Sequence, residues 1–398
     1  MSKVCRCRFG VRILIGLFCL RWFVLPPLLP AATPDEIRQK VGIYIWGQVP
    51  DLSAAVSDAK KAGSTQVVRA FIGPWSDTAP YKDDLRPLAQ KLADPGYQKL
   101  FREFPVIMLT AYDSYSYAKE YGNRGPTGGR TGAASRNAPN PAKIPNPSLG
   151  VVKDLARMSP AEASRFLRQV RQEFEEFSFA IAQMDRTFIV SNWEAENDVP
   201  DSALWPKFVL YLQARLDGIL AGRERARKLR YPAKVFTAFE FTIIPGFQGR
   251  PSGLVEIGSR LRGLDYLSYS SWWSIGWDAD PAAMRGSFQA GLQDIRSYAS
   301  RAGLPTRIII GEFGEYWNLH PTPERLRAIV DASIDAGAEY LFNWTLYDQP
   351  GEKDEHGRDA SHFGKFFLDR TLTPQGKALQ RWFQAPPKAP PAARKRAP

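Results

Sequence analysis

Eight short apolar runs punctuate this chain, and the stretches between them have helical spacing. The runs are VGIYIWG (41–47), QVVRAFIG (66–73), PVIMLTAY (105–112), TFIVSNWE (187–194), KVFTAFEF (234–241), YLSYSSW (266–272), RIIIGEFG (307–314) and YLFNWTLY (340–347). Each is rich in β-branched or aromatic residues and short enough for a strand buried on both faces. Helices are expected near 51–62, 96–104, 160–184, 206–229, 252–262, 281–302, 322–337 and 374–383. Several starts are marked: Ser159-Pro160-Ala161-Glu162 is a capping box with proline at the first helical position, and Thr322-Pro323 and Thr373-Pro374 precede two later helices. This alternation predicts an α/β chain closed as a single-domain (β/α)8 TIM barrel. An open doubly wound sheet would more often carry a glycine-rich nucleotide turn after its first strand, and none follows Trp46.

At 398 residues, with 44% hydrophobic and 24% charged residues, the chain has the composition of an ordinary globular protein with a large core. Residues 1–32 are expected to be a signal peptide or an N-terminal anchor: Lys3, Arg6, Arg8 and Arg12 precede an apolar stretch, and Ala31 and Ala32 precede the polar switch. Arg21, Pro26 and Pro27 interrupt that pattern, so cleavage and retention both stay open. The barrel is expected over 33–384, and the Pro/Ala-rich segment 385–398 reads as a disordered basic tail. All three cysteines, Cys5, Cys7 and Cys19, lie in the leader, so the barrel must be held by its core alone. The formal charge of +12 owes five positives to the leader (Lys3, Arg6, Arg8, Arg12, Arg21). The remainder suits either an anionic glycan or envelope surface, or simple solubility.

In such a barrel the functional residues sit at the C-terminal ends of the strands. That filter selects Trp46, Arg69, Tyr112, Asn192, Glu194, Glu240, Tyr269, Trp272, Glu312 and Trp344. A long loop follows the third strand, from Asp113 to about Met158. It contains Tyr115, Tyr117, Tyr121 and GPTGGRTGAAS, and is expected to form a lid or cleft wall. Glu194 and Glu312, ending the fourth and seventh runs, are the residue types that glycosidic cleavage needs. One carboxylic acid protonates the leaving oxygen while one carboxylate attacks, about 5 to 5.5 Å away in the retaining geometry. The acid needs a raised pKa, and the attacking group must stay charged, which a cation such as Arg69 would favour.

With these residues placed, residues 41 to 384 resemble clan A of the glycoside hydrolases, the retaining barrels with glutamates at the ends of strands four and seven. GEFG around Glu312 is similar to the nucleophile strand of cellulase-type members. The resemblance implies that Glu194 is the acid/base and Glu312 the nucleophile. Arg69 would be the arginine that bonds the nucleophile, and Tyr269, in SYSSWW, the sixth-strand tyrosine that does the same. Trp344 would floor a sugar subsite, and LDRTLTPQGKAL (368–379) resembles the segment entering the last helix. Family members usually place an asparagine immediately before the acid/base glutamate, whereas here Trp193 separates Asn192 from Glu194. Residues two apart on a strand share a face, so Asn192, Glu194 and Glu196 would all point to the cleft, and Glu196 stays open as the alternative acid/base. Glu315, past the glycine that should turn the loop, is the corresponding decoy for Glu312. Trp46, Trp193, Trp272, Trp273, Trp277 and Trp317 are expected to divide between core and ligand surface. Glu240 is either a substrate hydrogen-bond partner or an ion-pair member.

Other chemistries lack their residues. His320, His356 and His362 all follow the last two strands, so the paired first-strand ligands of metal-dependent barrels are missing, and no metal or cofactor is expected. There is no GxSxG elbow, and Gly311 and Gly314 flank an acid that would repel phosphate. Basic charge without a nucleic-acid motif does not make a nucleic-acid partner. The sequence therefore points to an exported retaining glycosidase, secreted or periplasmic in a bacterium and monomeric. It would act on β-linked carbohydrate, and any membrane association would run through residues 1–32. A catalytically silent glycan-binding barrel and a transglycosylase in glycan assembly are the rival readings.

Overall fold

The computed structural model describes residues 31–46, 51–73, 84–114, 147–276, 279–318, 323–348, 362–367 and 369–384. The leader through Pro30, Tyr115, Tyr117, Tyr121 and the glycine-rich stretch of the long loop, Trp277, His320, Thr322, His356 and the tail 385–398 lie outside the described residues.

Eight parallel strands close in sequence order into a barrel. They are β1 (Val41–Ile45), β2 (Val67–Ile72), β3 (Val106–Ala111), β4 (Thr187–Ser191), β5 (Lys234–Phe241), β6 (Tyr266–Ser270), β7 (Ile308–Phe313) and β8 (Leu341–Asn343). β8 closes on β1 with Val41 opposite Leu341. Both faces of most strands are buried, one against the barrel interior and the other against the helices, which is why the runs read as continuously apolar.

The helices around the barrel are α1 (Pro34–Lys40), α2 (Leu52–Lys61), α3 (Leu88–Lys91), α4 (Pro95–Glu103), α5 (Pro147–Arg157), α6 (Pro160–Ile181), α7 (Ala195–Asp198), α8 (Trp205–Lys228), α9 (Gly253–Glu256), α10 (Pro281–Ala302), α11 (Glu324–Asp335) and α12 (Pro374–Gln384). The capping box at Ser159 forms as its sequence demands, with the Ser159 hydroxyl accepting from Glu162 N–H and the Glu162 carboxylate accepting from Ser159 N–H. Thr373 caps α12 by accepting from Gly376 N–H at 3.1 Å.

Several expectations change. Part of the expected long loop is the helix α5, whose Val151, Val152 and Leu155 are buried in the core. The expected helix 252–262 is only α9 and a 3-10 turn, Gly258–Arg260. α1 was not anticipated, although Thr33 and Glu36 make a full capping box there. Ala32 belongs to the packed barrel: its N–H donates to Asp331 at 2.9 Å and its carbonyl accepts from Arg327.

Candidate active site

Alternation along the strands divides the barrel interior into layers. Val67, Met108, Ile189, Ala238, Tyr266, Ile309 and Phe342 form one apolar cluster. Two residues farther along the same strands the interior turns polar, with Arg69, Thr110, Glu240, Ser268 and Gly311. Arg69 Nη1 donates to Glu240 Oε2 at 2.7 Å and Nη2 to Glu240 Oε1 at 2.8 Å, a bidentate pair with no solvent exposure on either side chain. Nη1 also donates to the Gly311 carbonyl at 2.7 Å, and Nε and Nη2 reach Thr110 Oγ1 at 3.0 and 2.8 Å. The guanidinium stacks 4.2 Å from the Tyr44 ring centre. Ser268 Oγ donates to Glu240 Oε2 at 2.7 Å. Gly311 has to be glycine because a Cβ there would land on the Glu240 carboxylate and the Ser268 hydroxyl. The register between β6 and β7 shifts just beyond, between Tyr269 and Ser270, and Ser270 pairs with Glu312. Such irregularities re-aim side chains beside functional sites.

At the mouth above this layer the structure brings Glu194 and Glu312 together. A single indole N–H serves both: Trp272 Nε1 lies 3.0 Å from Glu194 Oε1 and 3.2 Å from Glu312 Oε2. Glu194 Oε1 also accepts from the Ser270 hydroxyl and Oε2 from the Asn197 amide. Both carboxylates are buried, 2% and 3% exposed. Arg69 Nη1 stands 3.7 Å from Glu312 Oε1. One guanidinium thus faces two carboxylates, Glu240 and Glu312. Burial and the charge of Glu194 push Glu312 well above the ordinary carboxylate range, and Arg69 opposes them. The cation expected to keep Glu312 charged is committed to Glu240 instead. Burial also raises Glu240, while the bidentate guanidinium pulls it back toward the ionised form.

The remaining predicted residues fall differently. Tyr269 does not reach Glu312. Ser268 and Ser270 point into the barrel, so Tyr269 between them faces the helix layer, stacks on Phe241 and shares a 2.7 Å hydrogen bond with Ser274. Asn192 is turned to the backbone of β5. Its Oδ1 accepts from Glu240 N–H at 3.0 Å and its Nδ2 donates to the Glu240 carbonyl at 2.9 Å, lacing the chain after β4 to β5. Glu240, with both oxygens engaged and no exposure, is an ion-pair member and not a substrate contact. The Tyr112 ring is fully buried against Phe71, and its hydroxyl holds Asp198 at 3.1 Å and accepts from Trp193 N–H at 3.2 Å.

Glu196 also departs from expectation, because β4 ends at Ser191 and the chain turns into α7, which ends the strand alternation. Its carboxylate accepts from the backbone N–H groups of Thr242, Ile243 and Gly253 at 2.9, 3.1 and 2.6 Å, away from Glu312. Burial raises it to about 7 despite those three donors. Glu315 is buried and pairs with Arg325 at 2.8 Å.

The aromatic side chains line the mouth in two groups. Trp46 and Trp193 pack on Phe71 and Tyr112, and Trp46 lies 5.9 Å from Trp344, itself 5.2 Å from Tyr44. Opposite them Trp272 packs on Phe363 at 5.3 Å, and Phe363 on Tyr316 at 4.2 Å. Trp46, Trp193, Trp272 and Trp344 are all half-buried, with part of each ring open to solvent. Trp273 sits apart against Phe247 and beneath Arg250, and Trp317 donates to Asp348. Sequence reasoning missed Ser270 and Asn197 as partners of Glu194, and read Trp272 as a platform when it is also a donor. The buried Ser-x-Ser of β6 was the available signal, since two serines on one face of a buried strand need polar partners in the barrel.

No family model and no curated protein sequence matches the chain. Solved structures do. Endo-glycoceramidase II from Rhodococcus sp. superposes with a TM-score of 0.52 at 14% identity, over 86% of this chain and 78% of that one. What the two share is the closed eight-stranded parallel barrel. A GH5_18 protein from Streptomyces cattleya in complex with Manb1-4GlcNAc gives 0.50 at 13% identity, over 88% of this chain and 82% of the other. The exo-beta-1,4-mannosidase Op5Man5 from Opitutaceae bacterium strain TAV5 gives 0.49 at 16% identity, and the chain spans 59% of that protein's length. These likenesses bear on the barrel, and activity rests on the site.

Proposed function

We propose that the chain is a retaining glycoside hydrolase that cleaves β-glycosidic bonds of an oligo- or polysaccharide. One observation carries this: a single indole N–H spans Glu194 and Glu312 at the C-terminal mouth of the barrel. Two oxygens held by one nitrogen at these distances lie closer together than the roughly 6.5 Å at which inverting enzymes begin to admit a water between their carboxyls. Glu194 protonates the departing glycosidic oxygen as Glu312 attacks the anomeric carbon. Glu194 then takes a proton from the water that releases the glycosyl-enzyme, and two inversions give net retention.

The half-buried faces of Trp46, Trp193, Trp272 and Trp344 supply the apolar surfaces that sugar rings stack on. The β1-4-linked disaccharide named for the Streptomyces structure fits a β-linked substrate, and the lactosyl-enzyme intermediate named for the Rhodococcus protein fits a covalent glycosyl-enzyme. Export through residues 1–32 belongs to the same proposal, and the intact mass of the protein from its producing cell tests it.

Initial rates on a panel of aryl β-glycosides and soluble β-linked polysaccharides test the reading, with Glu194→Ala and Glu312→Ala measured beside the unmodified protein. Turnover that falls by several orders of magnitude in both variants supports it. Binding without turnover by the unmodified protein would put a silent glycan-binding barrel in its place, and transfer to acceptor sugars in preference to water would make it a transglycosylase.

A further inference from the structure

Glu194 and Glu312 are equally buried but unequally solvated by the protein. Three donors converge on Glu194: the Ser270 hydroxyl and the Trp272 N–H on Oε1, and the Asn197 amide on Oε2. Glu312 receives only its share of the Trp272 N–H on Oε2, and its Oε1 has no hydrogen-bond partner among the described residues. Arg69 stands off at 3.7 Å because its N–H groups are taken by Glu240, Gly311 and Thr110.

The other groups facing Glu312 do not redress this. Glu240 on β5 adds a like charge, and the Tyr44 phenol on β1 is held neutral by burial, its pKa raised above the ordinary value. Donors stabilise the ionised form of a carboxyl, so two adjacent carboxyls sharing one proton leave it on the group with fewer of them.

We propose that Ser270, Asn197 and Trp272 are positioning residues that seat the shared proton on Glu312 while the cleft is empty. Taken with the retaining reading above, on which this consequence rests, the empty site is in the reverse of its reactive protonation state. An O–H bond on Glu312 must break and one on Glu194 must form before attack. The Trp272 N–H, already touching both oxygens, remains bonded to whichever carboxylate is charged.

The test is a pH titration of the full chain carrying 13C-labelled glutamate carboxyls, read by NMR without any sugar, with resonances assigned through Glu194→Gln and Glu312→Gln. The Glu312 carboxyl is expected to follow the higher of the pair's two steps. Ser270→Ala and Asn197→Ala each remove a donor from Glu194 alone, and should move the proton partition toward Glu194 by about tenfold, of order one pH unit. Asn197 is exposed, so that variant folds even if Ser270→Ala does not. Trp272→Phe, which removes a donor from both, should raise both steps. A higher step that follows Glu194 in the unmodified protein overturns the proposal, as does a partition that neither single variant moves. Because no substrate is used, failure to cleave any sugar would sink the glycosidase reading and leave this result standing.

Discussion

Two layers of the barrel interior, two residues apart on the same strands, are equally buried and chemically opposite. The lower holds Val67, Met108, Ile189, Ala238, Tyr266, Ile309 and Phe342; the upper holds Arg69, Thr110, Glu240 and Ser268 around Gly311. The lower layer does what any apolar set of the same volume would do. The upper sets a guanidinium and a carboxylate where an apolar pair would be as stable or more so, since desolvation offsets most of the attraction in a buried ion pair. Burial therefore does not separate scaffold from site in this molecule, whereas hydrogen-bonded charge does. The upper layer is the platform on which Glu194 and Glu312 stand.

Breaking that layer should have the largest effect on stability. Arg69→Met leaves Glu240 buried without its partner and should cost about 3 to 5 kcal/mol in urea unfolding, and Glu240→Leu added to it should recover much of the loss. A single-variant cost below about 1 kcal/mol would show that the pair is not held as described.

Glu196 sharpens the contrast, as a buried carboxyl outside both layers. Its pKa rises from 4.5 to about 7 on folding, so the folded chain holds that proton more tightly than the unfolded one. Its contribution to stability is full below about pH 4.5 and is lost as pH rises to about 7, by up to about 3 kcal/mol. Unfolding of Glu196→Gln followed against pH should lack this decline, and parallel curves for the two proteins would contradict the assignment.

Gly311→Ala drives a methyl into the Glu240 carboxylate and should cost about 1 to 3 kcal/mol, with activity falling as Arg69 and Glu240 shift. Ile309→Val, two residues earlier in the lower layer, should cost only about 0.5 to 1.5 kcal/mol and leave the rate on any cleaved glycoside unchanged. Equal losses of activity in these two variants would erase the distinction between the layers.

The sequence made the scaffold legible because both faces of each strand are buried, so eight continuous apolar runs stand out from the helices between them. Glu194 and Glu312 were legible for the same reason, as carboxylates ending such runs. Direction was harder to read. Tyr269 and Trp272 lie three residues apart, and only the parity set by Ser268 and Ser270 shows that the tyrosine faces the helices; Trp272 reaches the carboxylates from the 3-10 turn Ser271–Ser274. Glu196 was misplaced because nothing in NWEAEND marks the end of β4 at Ser191, where extended geometry gives way to a helical turn. Arg69 and Glu240 were both found, Glu240 with ion pairing as one of its two readings, but not that they pair with each other, since pairing across the barrel between β2 and β5 leaves no trace in local pattern.

The most direct test of the central claim is the configuration of products rescued by azide on an activated aryl β-glycoside, read by proton NMR. Glu312→Ala should regain turnover and release the α-glycosyl azide, because azide replaces the nucleophile on the opposite face. Glu194→Ala should release the β-glycosyl azide from an intact glycosyl-enzyme. Rescue of neither variant, or the two anomers exchanged between them, would contradict the assignment of the pair.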